Sequence, residues 1–163
     1  MKTLFILRHG KAERPHSGLA DFDRALSPRG HRDAARAGEV LKERLLPDSP
    51  GAVSAARRTR ETAAAVAAAW GWRFPNPLRE GYLAPARFWL QTVNGWGSDR
   101  PTGLIVGHNP GVSDLVHYLT GADASLPTAG LAEVQFPVSS WAEISGGCGE
   151  LVSVWTPSTT FGA

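Results

Sequence analysis

The triplet Arg8-His9-Gly10 follows the apolar run Leu4-Phe5-Ile6-Leu7, so an imidazole and a guanidinium stand side by side where a buried strand would end. Open α/β sheets bind their ligands at that place, outside the carboxyl ends of the strands. A neutral imidazole can attack phosphorus, and a guanidinium presents a planar fork of donors suited to phosphate oxygens. The pair points to phosphoryl transfer. Farther along, Gly103-Leu104-Ile105-Val106-Gly107-His108-Asn109-Pro110-Gly111 repeats the design, an apolar run that ends in a glycine and a histidine. Asn109 is placed to cap a helix and Pro110 to occupy its first turn, which predicts that His108 sits beside unpaired helix N–H groups and their positive field. A third segment, Ser54 to Ala63, follows the short apolar piece Ala52-Val53 and opens an alanine-rich helix whose start carries Arg57, Arg58 and Arg60.

These junctions would bring His9, Arg8, an arginine of the third segment and His108 to one crevice, and that constellation resembles the histidine phosphatase superfamily, the phosphoglycerate mutase-like group. The likeness extends over nearly the whole chain and is greatest to the small SixA-type phosphohistidine phosphatases. It is carried by Arg-His-Gly, the stretch Asp21 to Ser27, Ser-x-x-x-Arg-x-x-x-Thr from Ser54 to Thr62, Val-Gly-His-Asn-Pro-Gly, and Leu126-Pro127-Thr128. The resemblance implies that His9 is the nucleophile that becomes phosphorylated. It implies that Arg8 and Arg58 hold the phosphoryl oxygens, that His108 donates a further hydrogen bond to them, and that Arg24 is another phosphate contact. Ala55 and Ala25 stand where the family usually has proline, which touches loop geometry rather than chemistry.

Composition limits the alternatives. At 163 residues, 42% hydrophobic and 20% charged, the chain suits one domain with a single core and no staples. One cysteine, Cys148, forbids an internal disulfide and favours a reducing, cytoplasmic compartment. No apolar run is long enough for a signal core or a membrane span. The formal charge of +2 is too small to argue for nucleic acid, and no feature sets an oligomeric state. HExxH, HxH, paired-cysteine and Walker-type spacings are absent, so a zinc hydrolase built on His9 and His108 lacks its remaining ligands, and neither metal nor cofactor is expected.

The elements follow from periodicity and punctuation. Lys2 to Leu7 reads as a buried parallel strand, and Ser27-Pro28 opens a helix expected to run to about Leu46. The long intervening loop, Lys11 to Leu26, is expected to rim the site. Ala52 to Ser54 reads as a strand and Arg58 to Trp70 as a helix closing at Gly71. Pro75 to Leu83 is irregular, Pro85 to Gly95 a third helix, Leu104 to Val106 a strand and Gly111 to Leu119 a fourth helix. Leu131 to Phe136 and Glu150 to Trp155 read as late strands, one of them antiparallel, with Gly146-Gly147 in the turn between. The tryptophans, including Trp70, Trp89 and Trp141, read as packing. This alternation predicts an α/β fold, a three-layer α/β/α domain with a mostly parallel sheet.

In such a site the arginines would disfavour a second positive charge and keep His9 neutral, while a backbone carbonyl fixes its tautomer. Glu80 lies roughly where larger family members carry an acidic proton donor, with a plain surface glutamate as the competing reading. Asp21, Asp23 and Asp114 are further carboxylates, read as capping groups or arginine partners. His16, His31 and His117 read as surface or packing residues. The segment between Thr62 and Leu104 leaves no room for a large covering insertion, which favours an open cleft and phosphohistidine on a partner protein as substrate. The alternatives are a broad-specificity phosphomonoesterase for small molecules and a non-catalytic domain that binds phosphorylated proteins.

Overall fold

The computed structural model describes residues 1–158. In chain order these form strands β1 (Lys2–Arg8), β2 (Gly51–Val53), β3 (Thr102–Gly107), β4 (Leu131–Phe136) and β5 (Glu150–Trp155). The helices are α1 (Pro28–Leu41), α2 (Arg57–Ala67), α3 (Ala86–Asn94) and α4 (Gly111–Thr120). The strands make one sheet in the order β2-β3-β1-β4-β5. β1 pairs in parallel with β3, Ile6 opposite Ile105, and β2 pairs in parallel with β3. β4 runs antiparallel to both β1 and β5, so it alone is reversed and the sheet is mostly parallel, as the sequence predicts.

A central strand covered on both faces must be apolar throughout rather than alternating, and β1 is buried from Lys2 to Leu7. Phe5 and Leu7 join Leu41, Val66, Trp72, Leu104 and Val106 under α1 and α2. Leu4 and Ile6 face the other way, packing with Trp89, Ile105, Leu115, Val134 and Phe136 under α3 and α4. The three layers are therefore α1/α2, sheet, and α3/α4. The tryptophans belong to this packing, Trp89 and Trp141 being wholly buried.

Two helices stop earlier than their sequences suggest. α1 ends at Leu41 rather than near Leu46, because Leu45 turns inward to the core, its N–H and that of Arg44 both bonding to the Leu41 carbonyl. α2 spans Arg57–Ala67 and not Arg58 to Trp70. Its last turn tightens until the N–H groups of Gly71 and Trp72 share the Ala67 carbonyl, with Gly71 at φ 75° where only glycine is comfortable. The segment Pro75 to Leu83, expected to be irregular, contains a short 3-10 turn at Arg79–Gly81.

One close approach sets the floor of the site. A Cβ on Gly10 would lie 2.7 Å from the Gly30 carbonyl oxygen, and one on Gly30 would lie 2.1 Å from that of Lys11. The first turn of α1, capped by Ser27 Oγ accepting from Gly30 N at 3.0 Å, thus rests directly on the chain leaving β1.

Candidate active site

His9 follows β1 and His108 follows β3, and because those strands are parallel neighbours the two imidazoles end at one edge of the sheet. Their ring centroids are 5.3 Å apart. The His9 backbone is pinned on both sides, its N–H donating to Gly107 and its carbonyl accepting from Ala129. His9 Nδ1 lies 2.7 Å from the Gly10 carbonyl oxygen, so Nδ1 carries the proton and Nε2 is left with a free lone pair. The sequence foresaw a carbonyl in this role without naming it.

The pKa of His9 falls from 6.5 to about 4, chiefly because burial penalises its charged form. The hydrogen bond to Gly10 opposes this, and Arg58, Arg8 and Arg24 add repulsion. The expectation that arginines keep this imidazole neutral is corrected in its order of causes, since desolvation leads. His108, 1% exposed, is pushed to about 3 by burial first, then by His9 and Arg58.

His108 departs from expectation in its surroundings. Asn109 is not the cap of α4. Its Nδ2 donates to the Leu126 carbonyl at 2.8 Å and its Oδ1 accepts from Ser113 Oγ at 2.6 Å, while Pro110, after a cis Asn109-Pro110 bond, holds the N-cap position. The Val112 N–H is taken by the carbonyl of His108 itself. What orients the ring is Ser54, whose Oγ lies 2.7 Å from His108 Nε2 and accepts from the N–H of Ala56 at 3.3 Å. The Ser54 hydroxyl proton is thereby free to turn toward Nε2, which leaves the N–H on Nδ1. Ser54 was legible only as part of a motif.

Arg58 comes from the first turn of α2 and is 3% exposed, whereas Arg57 and Arg60 lie on the surface as expected. Thr62, one turn later, accepts from Gly10 N at 3.1 Å and ties this helix to the strand end. Arg8 donates from Nη1 to the Leu126 carbonyl at 3.1 Å. Among the described residues, three buried nitrogens in this group, Arg8 Nε, Arg58 Nε and His108 Nδ1, have no hydrogen-bond partner. Buried donors are rarely left empty, and with the charges of Arg8 and Arg58 acting on His9 and the His108 ring 5.3 Å from it, an oxyanion would complete the arrangement.

The loop Lys11 to Leu26 forms the rim. A lone bridge between Ala12 and Leu26 closes its base, and a 3-10 turn at Asp21–Asp23 carries it over the site. Arg24 donates from Nε to Asp21 Oδ1 at 2.9 Å and from Nη1 to the Glu13 carbonyl at 2.8 Å, and its charge reaches His9. Asp21 also accepts from Arg58 and from the Tyr82 hydroxyl, which together hold its carboxyl down at about 2, the Tyr82 bond being the largest cause. Tyr82 meets the His108 ring edge-on at 5.5 Å. Nothing in the spacing of the chain singled out Tyr82.

Glu80 lies exposed on the turn Arg79–Gly81, and its carboxylate makes no hydrogen bond or ion pair among the described residues. It is two residues from Tyr82, which meets the His108 ring. His16, His31 and His117 are exposed, as expected, and His117 faces Asp123 at 3.2 Å. Among the described residues no group of three or more histidine, cysteine or acidic side chains is placed to hold a metal ion. No helix there is long and apolar enough to cross a membrane.

Comparison with known proteins agrees with this geometry. The profile of the histidine phosphatase superfamily (branch 1) matches residues 4–81. An uncharacterized protein of Mycobacterium tuberculosis, Rv1276c, is 33% identical over 162 residues, covering 93% of this chain and 99% of its own. A structure assigned as the phosphohistidine phosphatase SixA of Nakamurella multipartitia superposes with a TM-score of 0.80 at 28% identity, covering 97% of both chains. Another so assigned, from Agrobacterium tumefaciens, gives 0.80 at 25% identity, over 96% of this chain and 98% of that one.

Proposed function

Since this chain belongs to the histidine phosphatase superfamily, we propose that it is a phosphatase working through a phosphohistidine intermediate on His9, and that its substrate is phosphohistidine on another protein. The observation that carries the reading is the pairing of His9 and His108, ring centroids 5.3 Å apart, with Arg58 and Arg8 acting on an imidazole whose Nδ1 proton is committed to Gly10.

In this scheme Arg8, Arg58 and His108 bind three oxygens of the phosphoryl group, with Arg24 entering from the rim. His9 Nε2 attacks phosphorus, an N–P bond forms, and the bond to the leaving group breaks with its electron pair. Charge on the equatorial oxygens is held throughout by donors fixed before the substrate arrives, a contribution of roughly several kcal/mol to the barrier. Water then attacks phosphorus on the other side, His9 is released and inorganic phosphate leaves. A phosphoimidazole protonated on its other ring nitrogen departs as a neutral imidazole, so no dedicated acid is needed.

The choice of a protein-borne phosphate rests on access. Between α2 and β3 the described chain forms only a 3-10 turn and α3, and Leu83, next to Tyr82, is 52% exposed. Hydrolysis of a phosphohistidine peptide, a phosphoserine peptide and a panel of sugar phosphates, by the protein and by His9→Ala, tests the reading. Phosphohistidine is expected to be cleaved fastest, with an acid-labile phosphoenzyme that His9→Ala lacks. Preference for the sugar panel would replace the substrate with a small molecule, and binding without turnover would make this a recognition domain.

A further inference from the structure

Asp21 opens the stretch Asp21 to Ser27 and is given no catalytic role by the resemblance, yet Arg24, Arg58 and Tyr82 all donate to it. Arg24 Nε donates to Oδ1 at 2.9 Å, Arg58 Nη2 to Oδ2 at 3.0 Å, and the Tyr82 hydroxyl to Oδ2 as well. Arg58 Nη1 donates to the Asp21 backbone carbonyl at 2.7 Å. The side chain of Asp21 is 47% exposed while that of Arg58 is 3% exposed, so the carboxylate sits at the solvent edge and reaches inward to the guanidinium.

The two bonds from Nη1 and Nη2 fasten the blunt end of the Arg58 fork. Its Nε, on the remaining edge, is buried and has no partner. A guanidinium donates along fixed directions in one plane, so fastening one end to a charged acceptor sets the direction of the other. Tyr82 braces the same carboxylate, and its ring lies 5.8 Å from the Arg58 guanidinium carbon, 5.5 Å from the His108 ring and 5.1 Å from that of Phe22. Rim loop, Tyr82 and Arg58 are thus joined through one carboxylate, and the Tyr82 ring carries the contact on to His108.

We propose that Asp21 is a positioning residue of the reaction: braced by Tyr82 and shared with Arg24, it holds the far end of Arg58 so that the open edge of the guanidinium faces the phosphoryl oxygens over His9. This rests on the reading of Arg58 as a phosphoryl ligand. Asn at position 21 keeps the size of the side chain but offers one acceptor oxygen where three donors converge, and its amide N–H groups oppose one of them. The fork then loses its fixed direction, and small misplacements of a transition-state ligand are costly.

The test is a double-mutant cycle with p-nitrophenyl phosphate as substrate. Asp21→Asn is expected to lower kcat by roughly tenfold to a hundredfold with KM changed less than about threefold. In an Arg58→Ala background the same substitution should change kcat by less than about threefold, because the group it positions is gone. Tyr82→Phe should weaken the wild type but add nothing to Asp21→Asn, and Asp21→Glu should recover part of the loss. The second readout is the Arg58 Nε–H proton resonance, expected as one slowly exchanging signal in the wild type and as a broadened or lost signal in Asp21→Asn. Full kcat in Asp21→Asn, an equal loss in both backgrounds, or an unchanged Arg58 resonance would overturn the proposal. A wild-type protein that neither hydrolyses p-nitrophenyl phosphate nor binds inorganic phosphate would overturn the phosphatase reading instead, and the resonance would still report whether Asp21 orders Arg58.

Discussion

Two histidines held neutral in the folded state make the protein sensitive to mild acid. His9 and His108 have pKa values of about 4 and about 3 against the usual 6.5. The unfolded chain therefore binds more protons than the folded one as pH drops through 6.5, and stability falls with it until the folded values are passed. With about 1.36 kcal/mol for each unit of displacement, the loss between pH 7.5 and 5 comes to about 2 kcal/mol for each histidine. The bond that lowers Asp21 does not contribute in this window, because its stabilisation is lost only as pH falls below 3.8 toward about 2. Urea unfolding at the two pH values measures the sum. For a slope of about 2 kcal/mol per molar urea, the wild-type midpoint should drop by about 2 M. The double variant His9→Asn/His108→Gln keeps an amide near Gly10 O and Ser54 Oγ and cannot titrate, so its midpoint should move by less than about 0.5 M. His16, His31 and His117 remain in both proteins as the internal control. A wild-type midpoint that stays constant from pH 7.5 to 5, or one that moves equally in the double variant, would refute the reasoning.

The same displacement sets the rate profile: the acid limb of kcat/KM, which reports the free enzyme, should fall near pH 4 rather than near 6.5, so activity at pH 5.5 should stay close to its neutral value. Ser54→Ala removes the hydroxyl that holds His108 Nε2 and is expected to lower kcat by about tenfold with the fold retained, measured by steady-state kinetics beside thermal melting.

How much of this was visible in the chain divides along physical lines. Strands and their order of burial were legible because β1 and β3 are apolar without alternation, the mark of strands covered on both faces. The late strands were placed at Leu131 to Phe136 and Glu150 to Trp155, and Gly147 at φ 72° lies in the turn between them. Helix ends were read less well. The inward turn at Leu45 and the tightening around Ala67 are settled by where neighbouring side chains find core, and local sequence carries no record of that.

The two buried histidines and Arg58 were readable for a different reason. Each sits at a junction where an apolar run gives way to a polar residue, so topology brings His9, Arg58 and His108 together whenever β1, β2 and β3 are adjacent. Second contacts obey no such rule. Ser54 on His108, Gly10 on His9, and Tyr82 with Asp21 on Arg58 join positions whose separation in the chain has no period. Glu80 was considered because it matched a family position, whereas the carboxylate that bonds to Arg58 and Tyr82 is Asp21, in the rim loop. The distinction has a mechanistic consequence. Because Arg58 is fastened by a carboxylate on a loop, rather than by the sheet, its geometry is coupled to the position of that loop. Whatever docks against the rim of residues 11–26 therefore bears on Arg58 directly, and a protein substrate, unlike free phosphate, would touch both.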